Sequence, residues 1–562
     1  MKTSLINKLI VSIGLIALVL SGGCTKKFDE INTNPTQATP ESVDPTFFVP
    51  TIQRYTFSPD REVWWRAQLI HADRFADHFR FGAAGSWWDD GLSYEYSPDY
   101  TDWYWRDYYT RIPASIVELL KTTRPEGSKP NKNVYAVGLI LKAMYYQMLT
   151  DSFGDIPYSQ VADGKTLSPQ YDAQLDIYKQ SITDLGDAIT LIGDATIENA
   201  FVKVSTDLFY NGDMQKWKKL ANSMRLRMGM RALGAQGADF AATAVIASLG
   251  QPLMTAITET AKVDKDPAQT GYLDDGYNNI WWVFGGEGSK WKLSQSLIHI
   301  LSSTNDPRLA KYAKPIAGGA ITYPKTTDAE YLAFIENLLN TEKVPFTKST
   351  TANDIVYTIA ANTYYLGQPA RMNDKIKSLL VYNLFSDPSD YVIGNDYTQR
   401  STPMMPGWAY SASEAQFYKA LAILKGVGSG NAEQAYQDGI RLAMEQFSVT
   451  AGDIATFMGT NAAKLNGSAE ENYEKVATQL WVSLYGHGFE AWAVARKTGY
   501  PKSVTQDIPN NTKIYAITSL GVGYPQRMQY STNETQLNQT NVAAAISRQG
   551  PDKESTKIWW AK

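Results

Sequence analysis

Apolar residues recur every three or four positions along much of this chain. Across 174–192, Leu175, Tyr178, Ile182, Leu185, Ile189 and Ile192 form one stripe of that spacing, which predicts an amphipathic helix. A second stripe, Trp217, Leu220, Met224, Met228 and Ala232, runs through 214–233, with Lys216, Lys218, Lys219, Arg225 and Arg227 spread around it. The same periodicity predicts helices near 62–80, 102–121, 133–149, 410–425, 432–447, 471–485 and 488–497. Helices in pairs with short turns between them suggest stacked hairpins of the tetratricopeptide type, although the consensus of that repeat matches poorly. The expected fold class is therefore all-α in the main. Between the helices lie long stretches rich in aromatic residues, Gly, Asn and Asp, at 81–101, 264–290 and 386–409. Structureless loops beyond about 15 residues are uncommon in compact domains unless they bind something. A helical scaffold carrying long aromatic-rich ligand-binding loops is the coarse picture.

The first residues follow a different pattern. Lys2 and Lys8 precede 12 mostly apolar residues, Leu9 to Leu20, as the charged and hydrophobic regions of a secretory signal do. That run is short for a membrane span, which needs about 20 apolar residues. It ends in Ser21-Gly22-Gly23-Cys24, small residues ahead of a cysteine, which is what a lipoprotein signal peptidase accepts. Leu20 stands four places before the cysteine where the usual pattern has three. Cys24 is the only cysteine in 562 residues and sits at the junction of signal and polar tail, so it reads as a lipidation site rather than a core thiol. Acyl chains would make the protein anchored to a membrane, not spanning it. With no second cysteine, no intramolecular disulfide can form. The organisation expected is a lipoprotein signal at 1–23, a flexible polar, Pro-containing tether at 24–40, and a single helical body at 41–562.

Charge narrows the partners. Loss of Lys2 and Lys8 with the signal leaves 51 basic against 57 acidic residues, a net of −6. A nucleic-acid partner would want a basic face, so none is expected. The histidines are His71, His78, His299 and His487. His71 and His78 are seven apart, two turns along one face of the helix predicted at 62–80, without the one-turn spacing of a metal motif. A local hydrogen-bonding role is expected for them, with no metal and no cofactor. Neither a phosphate loop nor a Gly-x-Ser-x-Gly elbow occurs. Adjacent acids at Asp89-Asp90 and Asp274-Asp275 leave a lipid-anchored glycoside hydrolase as an alternative. Adjacent residues do not, however, specify two carboxylates on opposite sides of a bond.

Aromatic clustering is the stronger signal, with 15 Trp and 34 Tyr in the chain. Trp105 and Tyr109 share a helical stripe with Ile112 and read as core. Trp87-Trp88 and Trp281-Trp282 lie in Gly/Asn/Asp-rich segments where no helical stripe is available to them. Flat rings beside Asp and Asn suit sugar or peptide ligands, because apolar faces stack and polar side chains take hydroxyls. Trp87, Trp88, Tyr94, Tyr96, Trp281, Trp282 and Trp408 are the candidate ligand contacts, and no catalytic residue is assigned.

Several stations along the chain resemble the SusD/RagB family of nutrient-binding outer-membrane lipoproteins. They begin with Cys24 and Phe28-Asp29-Glu30-Ile31-Asn32-Thr33-Asn34-Pro35. Asp151-Ser152-Phe153-Gly154-Asp155-Ile156-Pro157-Tyr158, Lys219 to Met228, Asp306-Pro307-Arg308-Leu309 and Glu414-Ala415-Gln416-Phe417 follow in order. Gly488-Phe489-Glu490-Ala491-Trp492 through Arg496-Lys497-Thr498-Gly499-Tyr500-Pro501, Pro525 to Tyr530, and Trp559-Trp560 complete the series. The subgroup most similar is SusD-like 2; Lys497 stands where Arg is usual, and Ser531 where Pro is frequent. The resemblance implies a helical body with four tetratricopeptide-like hairpins and a loop-rich ligand face. It implies no enzymatic activity, exposure on the outer-membrane surface through a lipid anchor, and a SusC-like TonB-dependent transporter as partner. The protein would capture oligosaccharide or peptide and deliver it to that barrel. A periplasm-facing binding lipoprotein is the alternative location. The motif residues themselves are expected in the scaffold.

Overall fold

The computed structural model describes residues 43–82, 98–265, 284, 290–380, 384–393, 404–517 and 520–562. Cys24, the expected signal and tether, and Trp87, Trp88, Tyr94, Tyr96, Trp281 and Trp282 lie outside the described residues. So do Asp89, Asp90, Asp274 and Asp275.

The described body is predominantly α-helical. Its longer helices are α1 (Phe48–Phe57), α2 (Pro98–Arg111), α3 (Pro113–Thr123), α4 (Lys132–Phe153), α5 (Gln174–Ile192), α6 (Met214–Ala232) and α7 (Phe240–Leu249), followed by α8 (Ala329–Thr341), α9 (Ala412–Leu424), α10 (Ala432–Gln446), α11 (Ala469–Ser483), α12 (Gly488–Thr498) and α13 (Gln539–Gln549). Their ends follow local chemistry. Asn131, Asp213, Ser411 and Asn431 each accept hydrogen bonds from first-turn backbone N–H groups, and Ser468 with Glu471 forms a capping box. Gly499, at φ 75°, closes α12 in the left-handed conformation that a side chain would resist.

Two predicted helices differ in detail. The segment 102–121 is not one helix: Pro113 has no N–H to donate, so the chain breaks at Ile112 and restarts with Pro113 in the first turn of α3. The segment 62–80 winds as a π-helix over Trp64–Asp73 and then leaves the helix, with Asp77 at φ 60°. A short strand, β1 (Phe79–Phe81), follows. It pairs antiparallel with Trp291–Leu293, from a stretch whose pattern predicts no partner. His71 and His78 therefore do not share a helix face. Each instead meets a backbone carbonyl, His71 Nδ1 at 2.7 Å from Arg66 O and His78 Nε2 at 3.2 Å from Trp481 O.

Packing is layered. Helix α4 lies against α5, and α6 packs on both α5 and α7; α9 sits between α10 and α11, while α12 packs on α11 and on the π-helix. From Val134 to Phe153 nearly every residue of α4 is buried, so this helix is covered all round rather than on one face. Two further strand pairings were not predicted. Ala261–Val263, here β2, pairs with Gly407–Tyr410. Gly319–Pro324, Phe346–Thr350 and Asp354–Ile359 form a three-stranded antiparallel sheet with the last strand in the middle. Helix α8 covers it with Tyr331, Ile335, Leu338 and Leu339, which pack with Tyr323, Tyr357 and Ile359 in a second, smaller apolar cluster.

The main core is crossed by a buried ionic network. Arg227 donates to Glu414 at 2.9 Å and to Gln147 at 2.6 Å. Arg231 donates to Asp151 at 2.6 Å, to Tyr418 at 2.7 Å and to both oxygens of Glu490. Tyr418 in turn donates to Glu490, and Tyr178 and the Trp560 indole donate to Asp151. Helices α4, α5, α6, α9, α12 and the C-terminal turn are thus joined through one set of polar contacts. The paired guanidiniums hold the Glu490 carboxyl well below the usual carboxylate range despite burial. For Glu414 burial outweighs Arg227 and pushes the carboxyl up to about 7. Asp151, Arg227, Glu414, Glu490 and Trp560 all belong to the motif stations of the sequence, so those stations mark scaffold. The Asp155 element is scaffold too: Asp155 accepts from the Gln174 N–H and from Arg548, and Tyr109 donates to the Pro157 carbonyl.

Candidate functional site

The described ends of the three aromatic-rich loops converge on one cleft of about 420 Å³, counted out to its open mouth. Phe79 precedes the first loop, Lys265 and Phe284 belong to the second, and Val392 with Met405, Pro406 and Gly407 flank the third. The opposite wall is the π-helix, through Trp64, Gln68 and Asp73. The free space in the whole cleft has room for about one water molecule. A larger ligand therefore does not fit wholly inside it as it stands.

The wall is built by aromatic packing. Phe284 is fully buried, with its ring 5.6 Å from Trp64 and 5.4 Å from Phe79. Gln68 is fixed by donating to the Gly486 carbonyl at 2.9 Å, and Lys265 by donating to Ser58 at 2.7 Å. Gly486 stands at φ 78°, a conformation that a side chain would resist, with the Met405 methyl packed over it.

Asp73 is the chemically distinctive group. Burial pushes its carboxyl up to about 7, against the opposing influence of Gln68 and of the Gly488 N–H at the start of α12. No donor among the described residues reaches either oxygen with full hydrogen-bond geometry. It is the only carboxylate among the described lining residues, whereas glycoside hydrolysis needs a pair about 5 to 9 Å apart. This arrangement suits holding a hydroxyl or amide, with Asp73 able to donate or accept. Among the described residues no group of three or more His, Cys, Asp or Glu is arranged to hold a metal ion.

Of the candidates, Trp408 alone is described. It lies beside the cleft in the strand Gly407–Tyr410, is 7% exposed, and packs 6.0 Å from Phe447. Its indole N–H has no hydrogen-bond partner among the described residues, so a polar edge rather than a stacking face is what it has to offer. Trp105 is core as its stripe predicts, stacked on Tyr109 at 4.6 Å. Trp103 is half-exposed, but Arg66 and Arg106 lie 4.0 and 3.5 Å from its ring centre and compete for its faces. Sequence reasoning missed Asp73, Gln68 and Lys265. Nothing in spacing distinguishes them, because their meeting depends on a π-helix and on loop closure.

The family model for SusD-like 2 proteins, described as starch-binding associating with outer membrane, matches residues 72–530. This chain belongs to that family. Solved structures share its fold: a chitin-binding protein is 24% identical with a TM-score of 0.71, over 92% of this chain and 100% of its own. A chitin-binding SusD homolog from Flavobacterium johnsoniae is 20% identical with a TM-score of 0.68, over 92% and 98%. A SusD-like protein from Bacteroides thetaiotaomicron is 21% identical with a TM-score of 0.68, over the same shares. No curated protein matches the chain in sequence. As a SusD-like protein it is a nutrient-binding protein of the outer membrane that binds glycan and delivers it to a partner transporter.

Proposed function

We propose that this SusD-like protein captures oligosaccharide at the mouth of the loop cleft and passes it to a SusC-like TonB-dependent barrel. The observation that carries the reading is that described residues from or beside all three aromatic-rich stretches line one cleft. In this reading Trp87 and Trp88, with Trp281 and Trp282, form the stacking platform, and Tyr94, Tyr96 and Trp408 contribute polar edges. Asp73 and Gln68 mark the polar floor. The starch-binding description of the family and the two chitin-binding neighbours favour sugar over peptide. Residues 1–23 serve as signal, Cys24 carries the lipid, residues 24–40 are the tether, and 41–562 form one body. We read the successive packed pairs α4/α5, α6/α7, α9/α10 and α11/α12 as tetratricopeptide-like hairpins.

Adjacent residues in an extended segment face opposite ways, so one ring of each Trp pair is expected inside and one offered to ligand. Titration calorimetry with malto- and chito-oligosaccharides tests this on Trp87→Ala, Trp88→Ala, Trp281→Ala and Trp282→Ala. One variant of each pair should bind about ten-fold more weakly with an unchanged thermal midpoint, since ring stacking contributes up to about 1.4 kcal/mol. Its neighbour should lower the midpoint instead. If all four destabilise the fold and none changes binding, the platform is wrong. Palmitate labelling lost in Cys24→Ser, and protease sensitivity on intact cells, test the anchor and its orientation.

A further inference from the structure

A second, wider cavity lies on the helical body and shares no lining residue with the loop cleft. It opens between α6, α9, α11 and α12 and measures about 860 Å³ counted out to its mouth, where Gly234 and Lys425 are exposed. One wall is apolar, formed by Met230, Leu421 and Val494. Its charged groups are all cationic, Arg231 in the floor, Lys497 on the side and Lys425 at the rim, beside the hydroxyls of Tyr418, Tyr473 and Thr498 and with no carboxylate among the described lining residues.

Arg231 is paired with Asp151 and Glu490 behind the floor, but neither lysine makes an ion pair among the described residues. The Lys497 ammonium donates to the Leu233 carbonyl at 2.9 Å and the Trp560 carbonyl at 3.2 Å, two neutral acceptors for three N–H groups. Lys425 lies 4.0 Å from the centre of the Tyr473 ring and makes no ion pair among the described residues. Arg231 turns its terminal nitrogens to Asp151 and Glu490, and its Nε has no hydrogen-bond partner among the described residues. Arg496, behind Lys497 on α12, is stacked on Trp492 and, among the described residues, bonded only to backbone carbonyls. Arg227, Arg231, Arg496, Lys497 and Lys425 thus face Asp151, Glu490 and a Glu414 whose carboxyl stands at about 7. On α11 the neighbouring Glu470 is held by the Tyr500 hydroxyl at 2.5 Å. Burial, and then repulsion from Arg231 and Lys425, lower the Lys497 ammonium to about 8.

We propose that this cavity is a binding site for an organic carboxylate, with the carboxylate between Lys497 and Lys425 and an apolar body on Met230, Leu421 and Val494. An anion there supplies the missing counter-charge, and the width of the cavity accommodates more than a bare ion. The site is independent of glycan capture at the loops.

Calorimetry on the full chain in a non-ionic detergent tests this with 4-phenylbutyrate, its uncharged amide and inorganic phosphate as probes. Phenylbutyrate should bind, and the amide should bind about ten-fold more weakly or not at all, the worth of one charged hydrogen bond. Lys425→Ala, at an exposed side chain, should weaken phenylbutyrate about ten-fold at an unchanged thermal midpoint. Affinity should also fall as pH rises through about 8, where Lys497 loses its proton, and Lys497→Gln should remove that dependence. Absence of phenylbutyrate binding up to about 10 mM overturns the proposal. So does equal binding of acid and amide, wild-type affinity in Lys425→Ala, or phosphate binding as tightly as phenylbutyrate.

Discussion

Replacing Arg231 by Met keeps much of the side-chain volume but removes the charge at the centre of the buried network. Arg231, Asp151 and Glu490 have side-chain exposures of 1%, 5% and 4%, so water cannot take over the lost contacts. Asp151 keeps Tyr178, Gln147 and Trp560 as donors; Glu490 keeps Tyr418 and an Arg227 nitrogen at 3.6 Å. Breaking a buried pair from one side costs about 3–5 kcal/mol, most of it from the charge left behind. The cost should depend on pH in a definite direction. In the native protein Glu490 titrates below its ordinary value, so it stabilises the fold above the unfolded carboxylate range and loses this only in strong acid. Without Arg231, burial should instead raise Glu490, so the native state keeps a proton that the unfolded chain releases. Stability of the variant should then fall as pH rises, and the gap to wild type should be widest near pH 8 and narrower near pH 5. Urea unfolding at both pH values measures it. Arg441→Ala is the control: its partners Asp438 and Glu445 are about one-third exposed, and its loss should cost no more than about 0.5 kcal/mol. A loss below about 1 kcal/mol at pH 8 for Arg231→Met, or one equal at both pH values, would refute the network's role.

Asp73→Asn should behave in the opposite sense. With the folded carboxyl near 7 and the unfolded one near 3.8, wild-type stability falls between those pH values; the variant lacks that fall. It should match wild type near pH 4 and exceed it by up to about 4 kcal/mol near pH 8 in urea unfolding, and an advantage that does not grow with pH would count against the buried carboxyl. Gly488→Ala should destabilise by about 2 kcal/mol or more, because the new Cβ would lie 2.3 Å from Asp73 Oδ1 and 2.4 Å from the Asp73 backbone nitrogen. A thermal midpoint within a degree of wild type would show that α12 and the π-helix can part without cost.

Much of the scaffold is legible along the chain, because a helix with one buried face must repeat its apolar residues at the helical period. The stripe at 174–192 ends where α5 ends, and Trp217 to Ala232 lies within α6. Several motif stations likewise mark scaffold, since Asp151, Arg227, Glu414, Glu490 and Trp560 each supply a side chain to one buried network. Periodicity fails where structure depends on distant partners. Pro113 divides one predicted helix, the π-helix changes the face on which His71 lies, and β1 exists only because Trp291–Leu293 arrives beside it. The three-stranded sheet over α8 is of the same kind, its middle strand satisfied only by two flanking strands. Aromatic loops can be recognised from composition, but composition carries no information on which segments meet. That Asp73, Lys265 and Met405 line one cleft, and that Lys425 and Lys497 share another, is decided by tertiary packing alone, since residues far apart in sequence acquire a common dielectric and a common charge balance only once the helices close around them.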